Sequence, residues 1–413
     1  MISSIHLNPL SCVSPTDLHS SPTVWHIGGE DVRMRIPLLL ALRDRGFQVG
    51  AVGSESNDAF VSYGIPYYRY SLERGINPWA DIQTRHQLAQ LLREHRPDII
   101  HGFDTKPALF SPIVGQQMGI RGRVRTITGM GYIFSSQSLL ARCLQPIYRH
   151  LQHKSSIDTN ITIFQNEDDR DYFRKNKMVS TDRDALVLGS GIDIEKFQLN
   201  TPSAEQLKQL KAELGIKNEV VVTMVARLVK SKGVLEYLQA AQEVCERFVE
   251  QSPGQSLQQQ RRVKFLLVGP LESEGRQAVS RQDLQQYENF VQYLGPRQDI
   301  AAILKLTNIF ALPSYYREGI PRVLLEAGMM QLPIVTTDMP GCRDVVRDGW
   351  NGRLVAPRDS RKLAAAIAEL VDAPDLRSLM GHRSQTHIEE NFSLNQVADA
   401  YANIYRQILE LGF

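Results

Sequence analysis

The sequence predicts two α/β domains in tandem, each built on a parallel β-sheet. Three observations carry this. At 413 residues the chain exceeds what one hydrophobic core usually serves. Short apolar runs rich in Val and Ile alternate with longer amphipathic segments, the pattern of strands joined by helical crossovers. That alternation stops at a polar stretch near 199–206 and then restarts.

The elements follow in order. VWHI (24–27) reads as a strand, IPLLLALRDRG (36–46) as a helix closed by a glycine, and QVGAVG (48–53) as a second strand. A helix around 83–95 precedes the apolar DIIHGF (98–103), and VRTIT (124–128) and TNITIFQ (159–165) are further β-rich runs. After the break come the strand EVVVTMVARL (219–228), the helix 234–248, and the strands VKFLLVG (263–269) and FVQYLG (290–295). A helix at 299–306, IFALPS (309–314), VLLEAGMM (323–330) and PIVTT (333–337) complete the second series. Helices at 360–372 and 395–411 close the chain with no strand between them. The expected domains are 1–198 and 199–394, with a last helix, 395–413, crossing back to the first. Residues 1–21 read as a loose leader, and the Gln-rich 251–262 as a surface loop. Tandem parallel sheets put ligands at the carboxyl ends of the strands, facing the crevice between domains.

Hydrophobic residues at 42% and charged residues at 22% describe an ordinary globular chain, which argues against wholesale disorder. Cys12, Cys143, Cys245 and Cys342 lie far apart, with no CxxC pair, so reduced thiols are expected rather than a disulfide framework or a zinc site. The start, MISSIHLNPLSCVSP, lacks a basic segment followed by an apolar run, and no apolar stretch approaches the ~20 residues of a membrane span. A cytoplasmic protein is expected, at most peripheral on the inner face of the plasma membrane.

The strongest local signal is Arg317-Glu318-Gly319-Ile320-Pro321-Arg322-Val323-Leu324-Leu325-Glu326-Ala327-Gly328. A strand ends, a short loop turns, and a helix starts with Pro321 near its first position, where a missing N–H costs nothing. The N–H groups of Arg322, Val323 and Leu324 are then expected free at the positive end of the helix dipole, a site suited to a diphosphate. Glu318 falls on the loop and Glu326 in the second turn. Two glutamates alone would read as surface charge; the Gly-x-Pro context and the preceding strand favour a site. A second signal is Arg227-Leu-Val-Lys-Ser-Lys232-Gly233, directly after the strand 219–226. Both cations are expected on an exposed loop, Arg227 able to make bidentate contacts and Lys232 acting as a point charge on one phosphate group.

Arg227-x4-Lys232 followed by Glu318-x7-Glu326 resembles the family 4 retaining glycosyltransferases, which have the GT-B fold of two Rossmann-like domains closing over a cleft. The resemblance extends over roughly residues 22–410 and includes Gly28-Gly29, GSGIDIEKF (189–197), LGPRQDI (294–300) and PGCRDVVRDGWNGRLV (340–355). It implies that Arg227 and Lys232 hold the donor diphosphate and that Glu326 bonds the nucleotide ribose. It also implies that Glu318 and the amides after it, Gly319 to Leu324, contact the donor. Gly28 and Gly29 would let the first domain approach the donor phosphates or the acceptor. Many members carry a histidine in a Thr-x-His-Gly stretch; here the sequence is Thr126-Ile127-Thr128-Gly129-Met130-Gly131. Any donor contact there rests on the Thr128 hydroxyl or on amides such as that of Gly129. This version looks like the bacterial subgroup acting on undecaprenyl-diphosphate-linked sugars.

The resemblance thus implies a UDP-sugar donor and a glycan or polyprenyl-diphosphate-linked sugar acceptor, in surface polysaccharide assembly. It implies retaining transfer with no cofactor and no metal. Pre-placed cations and amides can stabilise the leaving diphosphate, at roughly 10²–10³ in rate per group. A same-fold nucleotide-sugar 2-epimerase and a non-catalytic nucleotide-sugar-binding scaffold are the alternatives. An epimer as product would mark the first, and an inability to hydrolyse donor without acceptor the second.

Two Asp-x-Asp strings could suggest metal. Asp169-Arg-Asp171 follows a strand and a capping Asn166, so helix-end charge is the expectation, and Asp182-Arg-Asp184 is expected on a solvated loop. From Thr105 to Ile157 there is no acid, yet Lys106, Arg121, Arg123, Arg125, Arg142, Arg149 and Lys154 are present. In 138–154 these accompany Leu139, Leu140, Leu144, Ile147, Tyr148 and Leu151. The pattern fits a helix on an anionic membrane or against a lipid diphosphate, with Lys106, Arg142, Arg149 and Lys154 as its contacts. It equally fits a core-packed helix with a solvated basic face. His101 and Lys106 flank Asp104 at a strand end, either lining the acceptor side or forming a turn. No nucleic-acid partner is expected, because no aromatic-rich basic motif or reading helix is present.

Overall fold

The computed structural model describes residues 21–411 apart from 74, 76, 131–138, 190, 200–201, 251–262 and 273–277. The predicted leader up to residue 20 and the Gln-rich stretch therefore lie outside the described residues. The first sheet has seven strands in the order β3-β2-β1-β4-β5-β6-β7: β1 (Thr23–Ile27), β2 (Gln48–Gly53), β3 (Tyr67–Arg69), β4 (Ile99–Gly102), β5 (Gly122–Ile127), β6 (Ile161–Phe164) and β7 (Asp184–Leu186). The second has six, in the order β10-β9-β8-β11-β12-β13: β8 (Val220–Val225), β9 (Val263–Val268), β10 (Val291–Tyr293), β11 (Ile309–Leu312), β12 (Ile334–Thr337) and β13 (Gly352–Val355).

All pairings are parallel. The apolar strands are those buried on both faces, as a helix-covered parallel sheet demands. β3, β7 and β13 escape the sequence pattern because each is a short edge strand with half-exposed residues. Asp184 is one of these: it opens β7, its carboxylate is 1% exposed, and Arg174 grips it with a contact of 2.7 Å. The expectation of a solvated loop fails there, because the acid finds its cation in the preceding helix.

Strand order reverses between β1 and β4 in one sheet and between β8 and β11 in the other. At such points successive crossovers leave to opposite faces, and a crevice opens beyond the strands' carboxyl ends. Gly28-Gly29 follows β1, Asp104 follows β4, Arg227 to Lys232 follow β8, and Ser314 to Pro321 follow β11. The topology alone thus brings each sheet's sequence signals to one edge.

A third helix, Pro374–Asn391, stands between the two predicted closing helices, Ser360–Asp372 and Leu394–Leu411. The last helix buries Val397, Ala398, Tyr401 and Tyr405 with Val24, Val124 and Ile163 of the first sheet. Its entry is fixed by a parallel bridge between Ile192 and Ser393. The buried hydroxyl of Tyr405 must be satisfied. It lies 2.5 Å from His101 Nδ1 and 3.2 Å from His26 Nε2, while His101 Nε2 is 2.7 Å from Thr126 Oγ1. Burial holds both imidazoles well below their usual pKa, so they are neutral. His101 is therefore a structural hub beneath the site and does not line the acceptor side.

Candidate functional site at the domain interface

The β8 loop can close on the end of β11 only because residue 233 is glycine. Its φ is +77°, and a Cβ there would lie 2.1 Å from the Pro313 carbonyl oxygen. The preceding Lys232 is thereby set beside Glu318, with Nζ 2.6 Å from Oε2 and side chains 16% and 15% exposed. Ser314 Oγ donates to the other carboxylate oxygen at 2.9 Å. Lys232 Nζ sits 5.9 Å from the centre of the Tyr316 ring. The Tyr316 hydroxyl is pushed up first by burial and then by Glu318, and drawn down by Arg227. Lys232 and Glu318 thus meet beside the Tyr316 ring. Arg227 is exposed, at 3.2 Å from Glu272, but Lys232 is half-buried, which corrects the expectation of two exposed cations.

Pro321 is the N-cap of the helix Arg322–Met329, one position before that predicted. In consequence the Leu324 amide donates to the Pro321 carbonyl at 3.0 Å, and the Leu324 side chain is in the core. The Gly319 amide is also committed, to the Thr128 carbonyl at 2.9 Å. From Gly319 to Leu324, the amides of Ile320, Arg322 and Val323 have no acceptor among the described residues, so Leu324 drops out of the set of free amides that the sequence suggests. Ile320 packs over Gly189. Glu326, in the second turn, takes Arg322 Nε at 3.1 Å; burial raises its pKa and Arg322 opposes the rise.

On the other side of the interface, the Gly28 amide donates to Val52 at 2.9 Å and the Gly29 amide to Asp104 Oδ2 at 3.3 Å. These amides are spent within the first domain, and a Cβ at either glycine would meet a side chain of that domain, Val32 at 3.0 Å or Leu72 at 3.2 Å. Thr128 and Gly129 meet the second domain directly, Gly129 forming an antiparallel bridge with Glu318. Gly129 has φ +121°, and a Cβ there would lie 2.6 Å from the Arg317 carbonyl.

The structure also brings in residues that sequence reasoning did not place here. Asn166 caps the helix Glu167–Lys175, accepting the Asp169 amide as expected, and its Nδ2 donates to the Glu318 carbonyl at 3.2 Å. Asp169 is the charge-paired partner of Arg317 at 2.7 Å, and Asp168 of Arg343 at 3.3 Å. No local signal reveals these pairs, which join residues 148 and 175 positions apart.

The basic run does not form one charged surface. Lys106 is tied to Asp81 at 2.5 Å and to the Gly75 carbonyl, so it is not presented to an acceptor. Arg121 donates to the Leu409 carbonyl, and Arg123 to those of Asp158 and Ile120. Arg125 is fully buried, bonded to Gln152, Thr162 and Met178, and desolvation draws its pKa down to about 10. Arg149 turns inward onto the Tyr172 hydroxyl at 2.5 Å. On the helix Leu139–Ile157, Arg142 and Lys154 do face outward, beside Ile147 and Leu151, which are 57% and 38% exposed. The side chains of Leu139 and Leu140 lie outside the described residues.

Two family models match in chain order: one described as glycosyl transferase 4-like over residues 28–162, and one described as glycosyl transferases group 1 over residues 206–387. The chain is 25% identical over 389 residues to the N,N'-diacetylbacillosaminyl-diphospho-undecaprenol alpha-1,3-N-acetylgalactosaminyltransferase of Campylobacter jejuni, covering 93% of this chain and 98% of that protein. It is 26% identical over 350 residues to the UDP-Gal:alpha-D-GlcNAc-diphosphoundecaprenol alpha-1,3-galactosyltransferase of Escherichia coli, covering 84% of each. The crystal structure of Anabaena HepE in complex with UDP has the same fold, with a TM-score of 0.73 at 17% identity, covering 94% of this chain and 100% of that one. One family model falls on each sheet, and the loops that carry the motifs meet where the two sheets face each other; the chain belongs to the group 1, 4-like glycosyltransferases and is a glycosyltransferase of the GT-B fold.

Proposed function

We propose that this glycosyltransferase moves a sugar from a UDP-sugar to a polyprenyl-diphosphate-linked sugar, with retention of configuration, in the assembly of a surface polysaccharide. The observation that carries the reading is the Lys232–Glu318 pair beside Tyr316, on loops that also carry Arg227 and lead into the helix Arg322–Met329. A nucleoside diphosphate leaving group develops negative charge as its bond to the sugar breaks. Two cations and the amides of Ile320, Arg322 and Val323 can stabilise that charge. In this reading Glu326 bonds the ribose hydroxyls, and its pairing with Arg322 at 3.1 Å supports this by giving the carboxylate one direction. In same-face transfer the departing phosphate oxygen takes the acceptor's proton, so no further protein base is needed. The two undecaprenol-linked relatives support the acceptor class, and the UDP complex of HepE supports the donor.

The acceptor's lipid would reach the protein at a membrane surface. Ile147 and Leu151 between Arg142 and Lys154 suit the inner leaflet: apolar groups to enter it and cations for its anionic headgroups. Among the described residues no helix is long and apolar enough to cross a membrane, so attachment at the surface is the form of contact proposed. Incubation with a panel of nucleotide sugars and bacterial lipid extracts, read by mass spectrometry, tests the whole. A lipid-linked product that still forms in EDTA is expected. Donor epimerised without transfer, or activity abolished by EDTA and restored by manganese, would overturn it.

A further inference from the structure

We infer that Asp169 and Tyr172 are positioning residues: they grip Arg317 across the domain interface and so set the neighbouring Glu318 for transfer. The inference rests on the donor-site reading above for what Glu318 does, and on geometry for the grip itself.

The helix Glu167–Lys175 begins with three acids, Glu167, Asp168 and Asp169, and helix capping accounts for acids at such a place. It does not account for Asp169. That end is already capped by Asn166, whose Oδ1 accepts the Asp169 amide at 2.8 Å. A carboxylate that only complements a helix dipole stays in water, whereas that of Asp169 is 0% exposed and lies against Arg317 of the other domain. The Arg317 guanidinium also lies 5.6 Å from the centre of the Tyr172 ring, one turn further along the same helix. Arg149 braces Tyr172 from the opposite element through its hydroxyl.

Burial raises the Asp169 pKa, with Arg317 opposing it, so the environment penalises the charge. A buried ion pair of this kind adds little net stability over apolar residues, but removing one partner leaves an uncompensated charge. Its use is then direction and register. Three consecutive residues of the second domain are fixed by the first: Arg317 by Asp169, the Glu318 carbonyl by Asn166, and the Gly319 amide by Thr128. The Glu318 carboxylate is held instead by Lys232 and Ser314 of its own domain. Only the closed arrangement satisfies both sets, so closure decides the position of this peptide. Arg227, Lys232 and Glu326 all belong to the second domain, and nucleotide binding has no need of the grip.

The test compares Asp169→Asn, Arg317→Met and the double variant in the full chain, with Arg317→Lys as a charge-keeping control. Each neutralising single change is expected to lower kcat by about 10–10²-fold, the effect of a small misplacement at the reacting centre, with UDP affinity by calorimetry unchanged. The double variant, with no stranded charge, is expected to be no worse than the worse single, and Arg317→Lys to recover part of the rate. Small-angle scattering of donor-free protein supplies a readout independent of activity: both singles expand, and the double variant expands no further than the worse single. Unchanged kcat, effects that add in the double variant, UDP affinity falling in step with kcat, or scattering identical in all variants would each overturn the inference. If wild-type protein transfers no sugar at all, the functional reading fails, and the scattering arm still decides the grip.

Discussion

Replacing Lys232 by Met keeps the length of the stem and removes one charge, and under the proposed function the loss acts twice. The ammonium lies 2.6 Å from Glu318 Oε2, with both side chains about 15% exposed. Without it, the developing diphosphate loses an attraction, and Glu318 is left as an unpaired anion facing the same space. A unit charge at ~4 Å is worth about 4 kcal/mol where the effective dielectric constant is ~20, an upper bound for each of these effects. Only the part felt more strongly in the transition state slows turnover, so a loss of roughly 10²–10³ is expected, about 2.7–4 kcal/mol. The distinguishing measurement is the second change. In wild-type protein Glu318→Gln should slow transfer, because a donor contact is lost. In the Lys232→Met background the same change should restore about tenfold, ~1.4 kcal/mol, because it removes the repulsion. Initial rates of UDP-sugar consumption with lipid extract, and UDP affinity by calorimetry, read both arms. Near-normal turnover in Lys232→Met, or Glu318→Gln equally harmful in both backgrounds, would refute the reasoning.

Glu326→Gln should chiefly weaken nucleotide binding, since the amide keeps the shape but loses charge-assisted bonds to ribose; calorimetry with free UDP checks it, and an unchanged constant rejects the assignment. Asp344, whose pKa burial pushes up to about 6, binds a proton in the folded state that the unfolded chain has already released. Stability is therefore higher below the unfolded value and falls as pH rises through about 6. Asp344→Asn keeps an acceptor for the Gly341 amide, now at 2.9 Å. By calorimetry it should raise the melting temperature near pH 7.5, on the order of 1–2 kcal/mol, with the gain gone near pH 4. Arg142→Glu with Lys154→Glu should release the protein from vesicles containing anionic lipid, each cation contributing on the order of 1 kcal/mol at low salt. Vesicle co-sedimentation reads this, and binding that survives the reversal would remove the helix Leu139–Ile157 from the membrane reading.

Signals that are local in physics were legible in the chain. A strand end, a short loop and a helix start lie within a dozen residues, so the start of the helix Arg322–Met329 and the place of the cations after β8 could be read directly. The parallel sheets were legible because strands buried on both faces must be continuously apolar; β3, β7 and β13, at the edges, were under no such demand. Charge was legible only as a count. Of the basic residues between Thr105 and Ile157, Lys106 found Asp81, Arg121 found the Leu409 carbonyl, Arg125 went into the core and Arg149 onto Tyr172. A run without acids becomes a surface only if the fold brings it no partners, and partners come from anywhere in the chain. The same holds for Asp169, read as a helix-end charge and found against Arg317, and for His101, read at a strand end and found beneath Tyr405. Local sequence sets each residue's conformational preference. Which buried charge meets which is decided by the closing of one sheet's edge against the other's, because desolvation leaves a charge no stable place except beside its partner.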